Sequence, residues 1–407
     1  MQAISLSTLY PVCLDGKYGY IDNTGKIAIK PQFEGASDFS EGLAWVLVWD
    51  KNYIDEKGTH WPGKIQGHGL IDKTGAYIIE PPPSRWLDET HDFSEGIARV
   101  RIWRGGHRPY AYFDRTGRLA MEQQFFLARD FSEGLAYVAI GTGTPGLKGW
   151  DYEFGFIDKT GKLIIKPRKT HFGSFHDGLA RLGITRGFGP IKISRWGYIN
   201  QSGKVVLKLK CNWVMNFSNG MAPVLTGAKF DTKKYTGLLG GKWGYIDKTG
   251  KYTVEPQFDL AGSFSEGLAA VNIGGEVFQR EFRGGKWGYI DKTGELVIKP
   301  EFDEAHKFSE GVAAVKANNK WGFIDTTCNI TIKPQFDGVK PFSNGLARIN
   351  IYGTPASHCS GTVPDDWFWH RHSVSGGKWG YIDKTGQYVW TPREYFLGTA
   401  YQGKSYS

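Results

Sequence analysis

The sequence predicts an all-β repeat protein of nine three-stranded antiparallel meanders, stacked side by side into a solenoid or superhelical arc. Three observations lead to this fold class. A strand with the pattern aromatic-Gly-aromatic-Ile-Asp recurs nine times with variations, and the 407 residues include 55 Gly, 15 Trp, 20 Tyr and 25 Phe beside only 4 Met. No stretch shows sustained helical periodicity. A closed β-propeller-like ring is the alternative; we prefer the arc because no unit is divided between the two termini.

The recurring strand, called the WG strand below, is the first of three signatures in a fixed order. Its copies are "YGYID" at 18, "HGLID" at 68, "YAYFD" at 110, "FGFID" at 154, "WGYIN" at 196, "WGYID" at 243, 287 and 379, and "WGFID" at 321. The second signature is a short apolar strand ending in proline, as in "KIAIKPQF" from Lys26, and the third is "FSEGLA", as at Phe39 and Phe264. The extra residues of longer copies fall between the third signature and the next WG strand.

Turn chemistry explains why these residue types recur. In "YIDKTGK" the Asp suits the first position of a turn, and the Gly suits a position with positive φ. The WG strand and the next strand therefore form a hairpin with a bulge. Proline then ends strand pairing because it has no amide hydrogen. "FSEG" is predicted to form a second turn with its Phe pointing inward, and "GLAAV" a return strand. We assign structural roles to Trp196, Trp243, Trp287, Trp321, Trp379, Asp247, Asp291, Gly250 and Gly294.

Both faces of the WG strand are apolar, with Trp and Tyr on one side and Gly and Ile on the other. We therefore expect neighbouring units to cover both faces, since one small sheet buries too little to be stable alone. A single domain over residues 1–400 is predicted, with units beginning near 9, 43, 96, 134, 178, 220, 267, 311 and 345. A long insert at 352–377 and a tail at 401–407 complete it.

These motifs resemble the WG repeat family, also called KWG repeats, of bacterial proteins. The resemblance runs from about Leu9 to Phe396 and implies an all-β repeat scaffold, with no uniform catalytic activity and no established ligand residues. Ala111 in place of the motif glycine, His68 and Leu70 in place of both aromatics, and Asn200 in place of the aspartate depart from the pattern.

Composition argues against several other classes of protein. The net charge of +9 is spread along the chain without a basic run, so specific nucleic-acid binding is not expected. No signal peptide and no apolar segment long enough to span a bilayer is recognised, so a cytoplasmic location is the default expectation. The four cysteines form no C-x-x-C pair, and no cofactor is expected.

The motifs suggest three chemical interpretations: a phosphate-binding loop, a calcium site and a zinc site. "DKTG" lacks the spacing of a phosphate-binding loop, and its single carboxylate suits a turn better than a calcium site. Weak candidate zinc ligands, His358, Cys359, His370 and His372, lie in the long insert. No other catalytic constellation stands out, so we do not expect an enzyme.

The leading hypothesis is a non-enzymatic scaffold that binds a protein partner through its extended surface and inserts. A carbohydrate or cell-envelope binding module is the alternative, and an enzyme or metal site in the 352–377 insert is the third. Aromatic residues outside the repeat register are the candidate binding residues: Trp103, Trp150, Trp367, Phe368 and Trp369.

Overall fold

The computed structural model describes residues 8–50, 65–81, 87–102, 108–122, 125–141, 152–185, 193–230, 238–278, 281–355 and 374–392. These residues form strands and turns and no α-helix. The Cα atoms cluster into two compact units, residues 1–169 with 389–407 (unit 1) and residues 170–388 (unit 2). The single domain expected over residues 1–400 stays a prediction.

Sheets 1 to 4 precede residue 169. Sheet 1 contains β1 (Tyr10–Leu14), β2 (Lys17–Ile21) and β3 (Ile27–Phe33); sheet 2 contains β4 (Gly35–Ala36), β5 (Leu43–Asp50), β6 (Ile65–Asp72) and β7 (Tyr77–Ile79); sheet 3 contains β8 (Leu87–Ser94), β9 (Ile97–Ile102) and β10 (Tyr110–Asp114); sheet 4 contains β11 (Leu127–Ala128), β12 (Ala136–Gly141), β13 (Tyr152–Ile157) and β14 (Leu163–Arg168).

Sheets 5 to 9 follow in chain order. Sheet 5 contains β15 (Phe172–His176), β16 (Leu179–Thr185), β17 (Ile193–Asn200) and β18 (Val205–Leu209); sheet 6 contains β19 (Trp213–Val214), β20 (Met221–Thr226), β23 (Lys242–Asp247) and β24 (Tyr252–Phe258); sheet 7 contains β25 (Leu260–Ala261), β26 (Ala269–Phe278), β27 (Glu281–Ile290) and β28 (Leu296–Phe302); sheet 8 contains β29 (Glu304–Ala305), β30 (Val312–Ala317), β31 (Lys320–Asp325) and β32 (Ile330–Phe336); sheet 9 contains β33 (Gly338–Val339), β34 (Ala347–Ile351), β37 (Lys378–Ile382) and β38 (Tyr388–Trp390). Two ribbons, β21 (Lys229–Phe230) with β22 (Leu238–Leu239) and β35 (Thr354–Pro355) with β36 (Val374–Ser375), extend from sheets 6 and 9.

The sheets are antiparallel blades of the β-propeller type. Seven of the nine sheets in the described residues have four strands, because in each of these seven a strand of two to five residues leads into the "FSEG" turn. The prediction of three strands per unit is therefore wrong for these seven. The all-β class and the nine repeated units are confirmed. Most sheets taper from a two-residue strand at one edge to a strand of up to seven residues at the other, as propeller blades do. The taper matches the alternative prediction of a propeller-like ring and supports the preferred solenoid less well.

Neighbouring sheets cover the two faces of the WG strand in sheet 6. In sheet 6, Trp243 and Tyr245 join a core with Leu260 and Phe264, which belong to sheet 7 and its turn. On the other face, Ile246 packs into a core with residues of sheet 5. Tyr245 is fully buried, as its counterparts Tyr20, Tyr112, Tyr198 and Tyr289 are.

The buried tyrosine also fixes the short strand of the following sheet. The hydroxyl of Tyr245 donates a hydrogen bond to the carbonyl oxygen of Gly262, 17 residues further on, at 2.8 Å. The same bond, with the same spacing, joins Tyr20 to Ser37, Tyr112 to Arg129, Tyr198 to Met215 and Tyr289 to His306. In these five sheets the Phe of the next "FSEG" turn packs against this ring, as Phe264 does at 4.9 Å between centroids. A buried phenol needs such a partner.

The glycine of the WG strand is required by a bulge in the outer strand. In sheet 8 the register steps from Trp321↔Phe336 to Phe323↔Ile332, so the outer strand holds two extra residues opposite Gly322. Pro334 lies in this bulge, where its missing amide hydrogen leaves no bond unmade. A Cβ atom on Gly322 would lie 2.5 Å from the carbonyl oxygen of Ile332 and 2.6 Å from the nitrogen of Pro334.

Ala111 replaces this glycine in sheet 3, where the described residues form no bulged outer strand. Sheet 3 has three strands, in the order β10-β9-β8, with β10 at its edge. Beyond that edge the described residues make only the isolated bridges Tyr110↔Phe125 and Phe113↔Leu119. The replacement of glycine by Ala111 thus accompanies a local change of structure at the edge of sheet 3.

Candidate functional site

The two ends of each sheet have different roles. The return strand runs from the "FSEG" turn to a connection of variable length, and the WG strand runs back to the "DKTG" turn. The "FSEG" and "DKTG" turns therefore lie at one end of the sheet, called the turn end. The variable connections lie at the opposite end, called the loop end.

At the turn end, one carboxylate oxygen organises each "DKTG" hairpin. Asp247 Oδ1 accepts hydrogen bonds from the amide and hydroxyl of Thr249, at 2.8 and 2.5 Å, and from the amide of Lys251, at 3.1 Å. The hydroxyl bond is the main cause that holds the pKa of Asp247 below its usual value. Asp291 does the same in sheet 7, and Asn200 supplies an amide oxygen in sheet 5. Gly250 and Gly294 take the positive φ of the turn.

In one "DKTG" turn the glycine position is occupied by a residue whose side chain is disfavoured by the backbone conformation. Cys328 occupies the glycine position in sheet 8 with φ of 71°, whereas Gly294 has 91° and Gly386 has 86°. We expect Cys328→Gly to raise the free energy of unfolding by about 1 kcal/mol, because a side chain in the left-handed region is strained. Denaturant unfolding measures this change. Gly386→Ala is the matched reverse change, since the nearest atom to the added Cβ is 3.5 Å away. It should lose about 1 kcal/mol; a loss of stability in Cys328→Gly would contradict the interpretation.

The "FSEG" turns connect successive sheets. The hydroxyl of Ser265 donates to the carbonyl oxygen of Phe308 in the next turn at 2.8 Å, and the carboxylate of Glu266 accepts from the amides of Glu310 and Gly311 at 2.7 and 2.9 Å. The serine bond also links Ser40 to Phe93, Ser94 to Phe131, Ser218 to Phe264 and Ser309 to Phe342. Each acidic or amide residue of the turn has a φ near 50–56°, so the side chain that links the sheets sits on a two-residue turn with both φ positive. The motif residues of the turn end thus serve to hold neighbouring sheets together.

At the loop end, the lysine that precedes the WG strand pairs with an acidic residue 17 positions later. Lys242–Asp259, Lys286–Asp303, Lys320–Asp337 and Lys17–Glu34 are separated by 2.6 to 2.7 Å between nitrogen and oxygen. These lysines are about half exposed, so each pair by itself adds little to stability. The second oxygen of Asp259 accepts from the amide of Gly274, and that of Asp337 from the amide of Tyr352, each at 2.8 Å. The aspartates therefore fix the points where the longer connections begin.

Asparagine side chains hold the other side of the same connections in unit 2. Asn350 is fully buried and donates to the carbonyl oxygen of Gly376 at 3.1 Å, and Asn212 makes two hydrogen bonds to the backbone of Ala228, each at 2.8 Å. Asn272, also buried, reaches Gly284 at 3.4 Å. The roots of three connections in unit 2 are thereby fixed by side chains.

The structure places the predicted residues in two groups. Trp196, Trp243, Trp287 and Trp321 are buried in the cores between sheets, and Trp379 is half-buried. The candidate binding residues Trp103, Trp150, Trp367, Phe368 and Trp369 and the candidate metal ligands His358, Cys359, His370 and His372 lie outside the described residues. Within the described ranges, no group of three or more His, Cys, Asp or Glu side chains is arranged to hold a metal ion.

Sequence reasoning missed a charged cluster between sheets 3 and 4. Arg99, with only 11% of its side chain exposed, contacts Asp130 Oδ1 at 2.9 Å and the carbonyl oxygen of Ala128 at 2.6 Å. It also lies 3.0 Å from His91 Nδ1, and His91 Nε2 lies 2.8 Å from Glu89. Because arginine can only donate, His91 Nδ1 is an acceptor and its proton is on Nε2. The hydrogen bond from His91 is the main cause that lowers the pKa of Glu89 to about 2.

Asp92, next to this cluster, gives stability a dependence on pH. Its carboxylate still reaches solvent, but surrounding protein atoms remove part of its hydration. This partial burial, together with the carboxylates of Asp38 and Asp130, raises the pKa of Asp92 to about 6. In the folded protein the charged form is disfavoured, so stability falls as pH rises from about 4 through 6.

Asp92→Asn should therefore be more stable than the parent protein above pH 6, by up to about 1 kcal/mol after allowance for solvent screening. The difference should disappear below pH 4, where the aspartic acid is protonated in both states. Melting temperatures of the two proteins across pH 4 to 8 measure this. A difference that is constant with pH, or a less stable variant at pH 8, would contradict the assignment.

Comparison with known proteins supports the fold and the repeat. Six segments match the family model described as a WG containing repeat: residues 18–51, 154–182, 196–230, 243–276, 287–321 and 321–354. A crystal structure of a eukaryotic initiation factor is similar, with TM-score 0.57 and 12% identity over 95% of this chain and 96% of that one. No curated protein matches the chain.

Two peptidases are more distant in structure. Prolyl oligopeptidase B from Galerina marginata has TM-score 0.41 and 12% identity over 77% of this chain, and dipeptidyl peptidase 4 from Porphyromonas gingivalis has 0.43 and 7% over 78%. The chain spans 52% and 56% of their respective lengths. In this chain's own described residues, no helix is long and apolar enough to cross a bilayer.

Fold and repeat together define a repeat protein whose units are propeller-type blades held together by their motif residues. The chain belongs to the WG repeat family.

Proposed function

We propose that this protein is a non-enzymatic repeat scaffold that binds a protein partner through the loop ends of its sheets. One observation carries the proposal. The motif residues of the turn end are used to join neighbouring sheets, while the connections that vary most in length between repeats lie at the loop end. Variation confined to one end of a regular framework is how repeat proteins acquire specificity.

The shortest loop-end connection shows how little the fold itself requires. In sheet 8 the register ends at Ala317↔Lys320, and Asn318 and Asn319 alone complete the turn with φ of 52° and 61°. In sheet 9 the equivalent pair is Ile351↔Lys378, so residues 352–377 exceed what the sheet needs for closure. The presence of residues that folding does not require supports a binding role for this connection.

Carbohydrate binding through the repeat aromatics is less well supported. A sugar platform needs ring faces open to solvent, whereas Trp196, Trp243, Trp287 and Trp321 are 2 to 6% exposed. The rings contribute to the cores instead.

Hairpin replacement tests the proposal because the chain supplies its own short template. In three variants, Asn-Asn replaces residues 227–241, 274–285 or 352–377, which lie between the pairs Thr226↔Lys242, Ile273↔Lys286 and Ile351↔Lys378. Partners are recovered from native lysate with the full chain and with each variant, and melting temperatures confirm folding. We expect at least one variant to stay folded and lose a partner.

The matched control changes the turn end instead. Lys248→Ala and Lys292→Ala alter exposed turn lysines in sheets 6 and 7 and should recover the same partners as the parent. If all three shortened variants recovered every partner, the loop ends would not be the binding surface.

A further inference from the structure

Tyr352, at the loop end of sheet 9, is the most exposed large apolar side chain in the described residues. Its exposed fraction is 78%, and the next highest is 58% for Ile330. A residue exposed to this extent rests little of its side chain on the protein, in contrast to a platform ring that lies flat against it. Such a projecting ring suits a concave surface that surrounds it.

The backbone of Tyr352 adopts a conformation that suits glycine. Its φ is 62°, in the left-handed region where a bulky side chain is strained. The equivalent position in sheet 7, next to the Ile273↔Lys286 pair, is Gly274 with φ of 86°. Both amides donate to an aspartate oxygen at 2.8 Å. The chain therefore has a tyrosine at a position where its own repeat shows that glycine fits.

Two side chains fix the connection that begins at Tyr352. Asp337, which binds the tyrosine amide, is itself paired with Lys320 at 2.6 Å. Asn350, two residues before Tyr352, donates to the carbonyl oxygen of Gly376 on the other side of the connection, and a Cβ on Gly377 would lie only 2.4 Å from Asn350 Oδ1. The ring thus projects from a fixed base, which lowers the entropy lost when it is captured.

We propose that Tyr352 is an anchor that inserts into an apolar pocket on the protein partner, with a hydrogen-bond acceptor near the pocket floor for the phenol hydroxyl. This inference rests on the proposed function, and it makes Tyr352 the residue that carries the affinity for the protein partner. Strained residues persist where the surrounding structure enforces them and where they serve binding. Tyrosine is among the residue types that dominate interface energetics when buried by a partner.

A competition experiment with the full chain tests this anchor. A phage-displayed library of genomic fragments from the producing organism is selected on the immobilised protein, and retained clones are challenged with soluble parent, Tyr352→Gly or Tyr388→Ala. Tyr388 is also exposed, at 48%, but lies on an outer strand. We expect clones that the parent and Tyr388→Ala release, and that Tyr352→Gly releases only at about 30-fold higher concentration.

The outcomes separate the anchor from the broader function. Clones released equally by all three proteins would overturn the anchor and leave a protein-binding scaffold in place. No retained clone would overturn both proposals. Glycan-array binding that Tyr352→Gly abolishes would assign the ring to a carbohydrate and overturn the protein pocket.

A second measurement tests the strain without any partner. Tyr352→Gly should raise the melting temperature by about 2 °C or more, because the backbone is relieved. A lower melting temperature would show that Tyr352 is part of the fold and overturn its assignment as a binding residue.

Discussion

Gly322→Ala should lower the free energy of unfolding by about 3 kcal/mol or more, because the added methyl group meets backbone atoms. The new Cβ would lie 2.5 Å from the carbonyl oxygen of Ile332 and 2.6 Å from the nitrogen of Pro334. No side-chain rotation relieves contacts with backbone, so the outer strand must move away from the WG strand. Denaturant unfolding of the purified variant measures the loss.

Gly262→Ala is the matched control for this prediction. The nearest atom to its added Cβ is the carbonyl oxygen of Ala270 at 3.4 Å, and its φ lies outside the left-handed region. We expect a change within about 1 kcal/mol. Equal effects at the two glycines would show that the bulge does not dictate glycine. Ala111, beside which the described residues form no bulged strand, already agrees with this explanation.

Trp287→Ala should cost about 3–5 kcal/mol, the range for deleting a large buried side chain. Trp287 is 6% exposed and belongs to the core that sheets 6, 7 and 8 share, together with Tyr245, Phe302 and Val315. The loss therefore affects packing between sheets as well as within sheet 7. Chemical denaturation gives the magnitude.

Tyr388→Ala serves as the comparison for Trp287→Ala, since Tyr388 is an aromatic residue of an outer strand with 48% exposure. It should change stability by about 0.5 kcal/mol or less. If Trp287→Ala melted at the parent temperature, the indole would not be a core element and the binding interpretation of the repeat tryptophans would regain support.

The repeat could be predicted from sequence because its elements are local. The hairpin at "YIDKTGK", the strand-ending proline and the inward Phe each depend on residues within a few positions of one another. The strand preceding each "FSEG" turn could not be predicted, because a pair such as Leu260–Ala261 carries no periodicity. That omission also hid the taper of the sheets, and with it the argument for propeller blades.

The candidate site was harder to predict because it depends on contacts between sheets. Arg99 and Asp130 are 31 residues apart, and nothing in their local sequence pairs them. Tyr352 is equally inconspicuous in sequence; its exposure and its φ appear only once Asp337 and Asn350 are placed around it. The sequence does contain one sign of the unusual position of Tyr352. When "NIG" of sheet 7 is aligned with "NIY" of sheet 9, the tyrosine falls opposite a glycine.

Isolating one sheet tests most directly whether neighbours are required for folding. A peptide of residues 259–302 contains all four strands of sheet 7 and none of the residues of sheets 6 and 8 that complete its core. We predict a circular-dichroism spectrum of an unfolded chain, no cooperative thermal transition and no protected amides by hydrogen exchange. A sigmoidal melting curve with protected amides in the WG strand would contradict the mutual dependence of the sheets.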